Sequence, residues 1–322
     1  MTVANPETTG AEAPIAASKR LDLKLSFQCN NRCVFCVQGD KRDTEPCRTP
    51  ENVRDLLAER RATCDSVVFT GGEVTLREDL VAQVQHAKAL GYRSIQIQTN
   101  GRRMSYAPYL EALIEAGATE LAPALHGADA ATHDALTQAR GSFRQTVKGI
   151  RHAQRRGLPV VLNSVIVQSN VAQLPAMVRL FISLGVRQSQ FAFVHALGTA
   201  EQLFDTVVPR YGDVMPYLRE ALLTGERAGM VMMAEAVPLC LMHGLERFVS
   251  EAYMPETTII DSKLTIESYA DWRHAEGKAH GPPCESCTWR LHCEGPWREY
   301  PAKFGWQAFR PRTDAPPAIV TT

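Results

Sequence analysis

Six short runs rich in apolar and β-branched residues recur along the chain: Leu21–Phe27, Ser66–Thr70, Ser94–Thr99, Glu120–Leu125, Pro159–Val167 and Gln188–Val194. Between them the apolar positions repeat at helical spacing. That alternation is the pattern of successive βα units building a parallel sheet. Helix ends are also marked. Thr49-Pro50 offers a capping side chain followed by proline at the first helical position. Gly91, Gly117, Gly157 and Gly185 each follow an amphipathic run, as C-terminal caps do. Six units are two short of a closed eight-stranded barrel, so the predicted fold is α/β, a partial (β/α)6 barrel. Its ligands would gather at the C-terminal ends of the strands. Beyond Val194 the alternation fades. A helix is predicted over Val214–Leu223 and an apolar run, Met230–Val237, ends near Cys240, while His243–His280 carries no clear period. The expected organisation is a disordered N-terminus at 1–18, the barrel at 19–225, a small extension at 226–312 and a loose tail at 313–322.

Composition changes this picture little. Hydrophobic residues make up 45% and charged residues 22%, ordinary for a globular chain. Lys plus Arg and Asp plus Glu are 35 each, so net charge points neither to nucleic acid nor to an anionic membrane, although a local basic groove is compatible with that balance. No stretch approaches the roughly 18 uncharged apolar residues of a membrane helix, and residues 1–18 lack the apolar core of an export signal. A soluble, cytoplasmic protein is expected.

The nine cysteines change it considerably. Cys29, Cys33 and Cys36 cluster near the start and Cys284, Cys287 and Cys293 near the end. In a reducing compartment disulfides are rare, so clustered thiols read as metal or iron–sulfur ligands. The first trio lies on the loop after the first strand, at the ligand-binding edge. Soft sulfur ligands select iron–sulfur or zinc over hard cations. Three thiolates on a four-iron cube leave one iron open to a reactant, whereas zinc would need a fourth ligand close by. At the end of the second strand stands Gly71-Gly72-Glu73. Glycines there permit a close approach to the backbone, and the carboxylate can accept hydrogen bonds from an ammonium group.

The spacing C-x3-C-x2-C after strand one, with aromatic Phe35 before the last cysteine, resembles the radical S-adenosylmethionine (radical SAM) superfamily. Gly71-Gly72-Glu73 resembles its GGE motif. The resemblance implies a 4Fe–4S cluster on Cys29, Cys33 and Cys36 whose open iron is chelated by SAM. It implies reductive cleavage of SAM to methionine and a 5′-deoxyadenosyl radical that removes a hydrogen atom from substrate. By the same resemblance Gly71, Gly72 and Glu73 hold the SAM amino group and Phe35 lies near the adenine. Thr99-Asn100-Gly101 matches a T-N-G often found at the end of strand three. His126-Gly127, His133-Asp134 and Gly141-Ser142-Phe143 are similar to a further stretch of many members. Ala124 departs from the pattern, standing where relatives carry a serine on the SAM ribose, which leaves that contact to Thr99 or Asn163, or without a counterpart. Asn163 on strand five and His195 after strand six point towards the same mouth. Each serves equally as a buried polar group bonded to backbone.

Pro283 to Trp297 contains C-x2-C-x5-C, which resembles the SPASM and twitch extensions that bind auxiliary 4Fe–4S clusters. Too few cysteines are present for a full SPASM domain, so the shorter twitch-like form fits, with Cys240 as the implied fourth ligand. Four thiolates would close that cluster and suit it to electron transfer. A structural zinc ribbon using His292 is the competing reading. Cys47 and Cys64 fit neither pattern, and Cys64 reads as a buried filler. Only about twenty residues precede strand one, so no separate leader-gripping module is expected. The implied function is redox-type C–H functionalisation of a peptide or small natural product, served by a reducing partner such as flavodoxin or ferredoxin. Redox-neutral epimerisation or rearrangement is the enzymatic alternative. A non-catalytic iron–sulfur or zinc sensor is the alternative from another class.

Overall fold

The first strand, β1 (Arg20–Ser26), shows the rule the others follow. Leu21, Leu23 and Leu25 are fully buried and pack into one core with Val53, Leu57, Leu80 and Val84 of the flanking helices. Asp22 and Lys24 alternate onto the opposite face, because successive side chains leave a strand on opposite sides. The same alternation sets Gln96 and Gln98 on β3 (Ser94–Thr99), Asn163 on β5 (Val161–Ile166) and Gln190 on β6 (Gln188–Phe193) against a concave, polar interior. The computed structural model describes residues 19–316. The expectation for residues 1–18, and that for the end of the tail, lie outside the described residues.

Strands β1, β2 (Ser66–Gly71), β3 and β4 (Glu120–Pro123) pair in parallel in chain order. A second parallel ladder holds β5, β6 and β7 (Val231–Glu235). Two bridges, Leu121↔Val160 and Ala124↔Asn163, stitch β4 to β5, so the two ladders form one curved wall. All six predicted strands are present, each within two residues of its expected bounds. Among the described residues no ladder joins β7 to the far edge, so the barrel stays partial. The helices fill the predicted intervals. Thr49 caps Pro50–Arg60 by accepting from the Asn52 amide at 3.2 Å. The helix expected at Val214–Leu223 runs longer, over Tyr211–Arg227.

The stretch 226–312 does not stand apart from this wall. Its β7 extends the sheet beyond β6, and its β8 (Thr257–Ile260) pairs in parallel with β1, followed by the antiparallel β9 (Thr265–Ile266). Asp261 at the end of β8 is tied to Lys24 at 2.7 Å and Lys41 at 2.9 Å. Nor does the chain come loose at Thr313. The Asp314 carbonyl accepts from Thr288 Oγ1 at 2.6 Å and from Trp289 Nε1 at 3.1 Å. No helix among the described residues is long and apolar enough to cross a membrane.

Candidate active site and second cysteine centre

The loop carrying Cys29, Cys33 and Cys36 leaves the C-terminal end of β1 and is pinned on three sides. Arg32 N–H donates to the Thr137 carbonyl at 2.8 Å and Val34 N–H to that of Leu136 at 3.0 Å, docking it on the helix Ala130–Thr137. The Cys36 carbonyl accepts from Thr199 N–H at 2.9 Å. Arg102 donates to the Asn30 carbonyl at 2.6 Å and to Asn31 Oδ1 at 2.9 Å, while Asn100 Nδ2 reaches Asn30 Oδ1 at 2.6 Å. The loop therefore has little freedom.

The three cysteines open onto one hollow of about 700 Å3, whose walls also include Gly71, Gly72, Thr99, Asn100, Ala124 and His126. Burial pushes the Cys29 and Cys33 thiols up, with neighbouring cysteine sulfurs adding to the shift, while Arg42 on the same hollow opposes it. Buried thiols of this kind become thiolates when a metal centre displaces their protons. Among the described residues no three His, Cys, Asp or Glu side chains close around a single ion. A four-iron cube is a larger object, and it spaces its thiolates at its corners. Three sulfurs beside an open hollow fit such a cluster.

Gly71 and Gly72 line the hollow, yet their lack of a side chain is demanded first by the fold. A Cβ on Gly72 would lie 2.3 Å from the Phe27 carbonyl oxygen, and one on Gly71 would lie 2.1 Å from that of Ser26. The strand end crosses the β1 backbone here, bonded by Gly72 N–H to the Ser26 carbonyl at 2.7 Å and Glu73 N–H to that of Gln28 at 2.8 Å.

Glu73 is buried behind the hollow, not on its wall. Its Oε1 accepts from Thr75 N–H at 3.0 Å and from the Thr75 and Thr99 hydroxyls, each at 2.6 Å; its Oε2 accepts from Asn100 N–H at 2.6 Å. The carboxylate thereby locks the end of β2 to the end of β3 and sets Thr99 and Asn100 against the hollow. Phe35 is likewise buried off the wall, edge-on to His126 at 4.7 Å. Asn163 lies beside Ala124, off the wall, with a buried Oδ1 that has no hydrogen-bond partner. His195 belongs elsewhere. It stacks on Trp297 at 3.8 Å, with Nε2 3.4 Å from Glu299 Oε2. Gly71, Gly72, Thr99 and Asn100 thus meet the three cysteines, and Phe35, Glu73, Asn163 and His195 do not.

Sequence reading passed over Asn31, Arg42 and Arg102, whose polar runs beside Cys29 and Thr99-Asn100-Gly101 were the available signal. His126 gains definition. Its Nδ1 accepts from Val165 N–H at 3.2 Å, so its ring proton sits on Nε2, and burial holds its pKa well below the ordinary range. His133 Nδ1 accepts from His126 N–H at 3.0 Å, and Asp134 receives Gly141 N–H, Phe143 N–H and the Ser142 hydroxyl at 2.6–2.9 Å. That stretch is structural bracing.

The structure also brings the second set of cysteines together. Cys240, Cys284, Cys287 and Cys293 line one hollow of about 390 Å3. Cys287 Sγ accepts from Arg312 N–H at 3.4 Å. Backbone N–H groups of Arg310, and of Leu239 and Gly295, serve Cys240 and Cys293 respectively. Burial pushes the Cys240 thiol up to about 12. His292 is exposed and outside this hollow, and His280 on its wall has Nε2 engaged by the Cys293 carbonyl at 2.7 Å. The donor set is four thiols with N–H groups aimed at sulfur, the setting that tunes iron–sulfur clusters.

Comparison with known proteins agrees with this geometry. Residues 23–181 match the family model described as the radical SAM superfamily. A probable GTP 3′,8-cyclase of Saccharolobus islandicus is 31% identical over 186 residues, covering 57% of this chain and 59% of the relative. One from Sulfurisphaera tokodaii is 28% identical over 188 residues, covering 58% of this chain and 59% of the relative. The chain therefore spans less than two thirds of the curated relatives it matches. The structure of Streptococcus suis SuiB bound to S-adenosylmethionine superposes with a TM-score of 0.64 at 15% identity, covering 92% of this chain and 77% of that one. SuiB bound to its precursor peptide SuiA gives 0.61 at 16%, covering 83% and 62%. A wall of parallel strands, three cysteines after the first and a glycine crossing after the second place this chain in the radical SAM superfamily.

Proposed function

We propose that this radical SAM enzyme carries out an oxidative C–H functionalisation of a peptide or small natural product, with residues 19–225 supplying the radical and 226–312 the electron acceptor. The observation that carries the reading is the second hollow with its four thiols. A cluster held there by four protein ligands has no iron left for substrate, so electron transfer is its natural task. A reduced 4Fe–4S cluster and SAM, bound together, supply a 5′-deoxyadenosyl radical that takes a hydrogen atom from substrate.

The chain's own residues do the rest. Cys29, Cys33 and Cys36 hold the cluster beside the hollow, and Gly71, Gly72, Thr99 and Asn100 offer backbone and side-chain partners for SAM. Glu73 fixes Thr99 and Asn100 in place, and His126 presents a neutral ring at the wall. Hydrogen removal takes one electron from substrate. The second electron needs a destination, which a cluster held by Cys240, Cys284, Cys287 and Cys293 would provide. The stacked His195–Trp297 pair links the end of β6 to the segment following Cys293. SuiB, crystallised with a precursor peptide, supports a peptide substrate. A flavodoxin or ferredoxin would reduce the first cluster.

The curated relatives named as cyclases favour a second reading, a redox-neutral rearrangement of a nucleotide. Anaerobic protein reconstituted with iron and sulfide should contain about eight irons and release 5′-deoxyadenosine from SAM and dithionite. About four irons would remove the electron acceptor and with it the oxidative reading. Turnover of GTP would replace it with the cyclase reading, and no 5′-deoxyadenosine at all would defeat both.

A further inference from the structure

One face of the molecule departs from its overall neutrality. The helix Ser142–Arg155 presents Arg144, Lys148, Arg151 and Arg155 to solvent, while Thr146, Val147, Ile150 and Ala153 are buried beneath them. At 3.6 residues per turn these four cations fall within an arc of about 60°. Arg140, exposed just before the helix, continues the stripe. None of the five has an ion-pair partner among the described residues. The nearby acids are occupied: Asp134 by the turn at Gly141–Phe143, and Glu111 by Arg156 at 2.8 Å. Unpaired like charges in a row repel one another, at a cost of a few tenths of a kcal/mol per pair. Helix stability alone would not select them.

The stripe is also placed with respect to the first cysteines. Gln145, on the same helix, holds Arg102 at 2.7 Å, and Arg102 grips Asn30 and Asn31 of the cysteine loop. At the N-terminal end of the stripe, Thr137, three residues before Arg140, accepts the Arg32 N–H from the middle of that loop. The N-terminal end of the stripe therefore adjoins the residues that pin the cysteine loop.

We infer that this basic face is the docking surface for an acidic electron-carrier protein of the flavodoxin type. The inference rests on the reading of Cys29, Cys33 and Cys36 as cluster ligands. A bound carrier would pass one electron to the cluster, its reduced flavin being oxidised by one electron with no atom transferred. Charge complementarity steers such encounters and makes them fall off with salt.

The test mixes the reconstituted protein with reduced flavodoxin and follows loss of the visible iron–sulfur absorbance, alongside calorimetric titration with oxidised flavodoxin. The variant Arg144→Glu/Lys148→Glu/Arg151→Glu/Arg155→Glu should lower the reduction rate and the affinity at least about tenfold at low salt, within the range of electrostatic steering. Wild type should approach the variant as salt rises. Arg219→Glu/Arg227→Glu, on another exposed helix, should leave both unchanged. Dithionite-driven release of 5′-deoxyadenosine should match wild type in every variant. If wild type releases none with dithionite, the functional reading fails, and the docking inference with it. Equal flavodoxin rates in wild type and the four-fold variant overturn the docking inference alone. So does stripe-dependent binding of an oligonucleotide or an anionic vesicle in preference to flavodoxin. Should the four-fold variant load no iron, the single reversals Arg144→Glu and Arg151→Glu take its place: slower reduction by flavodoxin upholds the docking surface, and an unchanged rate overturns it.

Discussion

A single carboxylate shows how much of the site hangs on one side chain. Glu73 receives two hydroxyls and two backbone amides in a buried position, and two of those donors, from Thr99 and Asn100, belong to the next strand. Glu73→Ala strands all four. Unsatisfied buried donors cost about 1–3 kcal/mol each, so a loss of at least about 3 kcal/mol in denaturant unfolding is expected. Weakened SAM binding by calorimetry should accompany it. Glu73→Gln keeps an acceptor for part of the set and should fall between the two. Stability and SAM affinity unchanged in Glu73→Ala would remove Glu73 from any role at the site. The tripeptide Gly-Gly-Glu is conspicuous in the sequence, but this role is not. The residues it ties together lie 26 and 27 positions downstream, and only the pairing of β2 with β3 brings them into reach. The same holds for Phe35, His195 and Asn163. Strand ends announce which residues reach the mouth of a barrel, and not how far each turns into it.

Between elements, the pair His126–His133 joins the end of β4 to the helix Ala130–Thr137, the rings stacked 5.8 Å apart. Burial holds both histidines below their ordinary value, His133 at about 4. A histidine kept neutral in the folded state stabilises above its unfolded pKa near 6.5, and that contribution is lost as pH falls towards the folded value. Wild type should therefore lose up to about 3 kcal/mol between pH 6.5 and 4 on account of His133, with His126 adding in the same direction. Carboxylates held low, such as Asp134 and Glu246, lose their own contribution from about pH 5 downwards, at the lower end of this window. Chemical unfolding of wild type and His133→Gln across that range measures it: the variant's profile should be flatter, and parallel profiles would refute the assignment. Elements were the scale at which the sequence spoke most clearly. Six β-rich runs, a Thr-Pro cap and glycines closing helices carry local signals that packing reinforced. The stretch His243–His280 did not, since it is built from short turns and two small strands, the first of which pairs with β1 far away in the chain.

Over the whole molecule, the segment after residue 226 closes both flanks of the barrel wall, as well as carrying the second cysteine set. Periodicity could place its apolar run at Met230–Val237 and not its partner, because parallel pairing to β6 and β1 leaves no mark in local spacing. This arrangement has a consequence for how the protein is made. β1 leaves the ribosome well before β8, and one of its two edges stays bare until β8 arrives about 230 residues later. At 5–20 residues per second that wait lasts on the order of ten seconds or more. Throughout it, an unpaired edge with three buried-type leucines is open to other chains. A fragment ending at residue 225, although it contains Cys29, Cys33 and Cys36, should form soluble aggregates or inclusion bodies where the full chain stays monodisperse by size-exclusion chromatography. A soluble, monomeric fragment would show that the bare edge is tolerated. Synthesis speed and chaperone supply, more than the strength of the finished fold, then govern how much of this protein can be harvested.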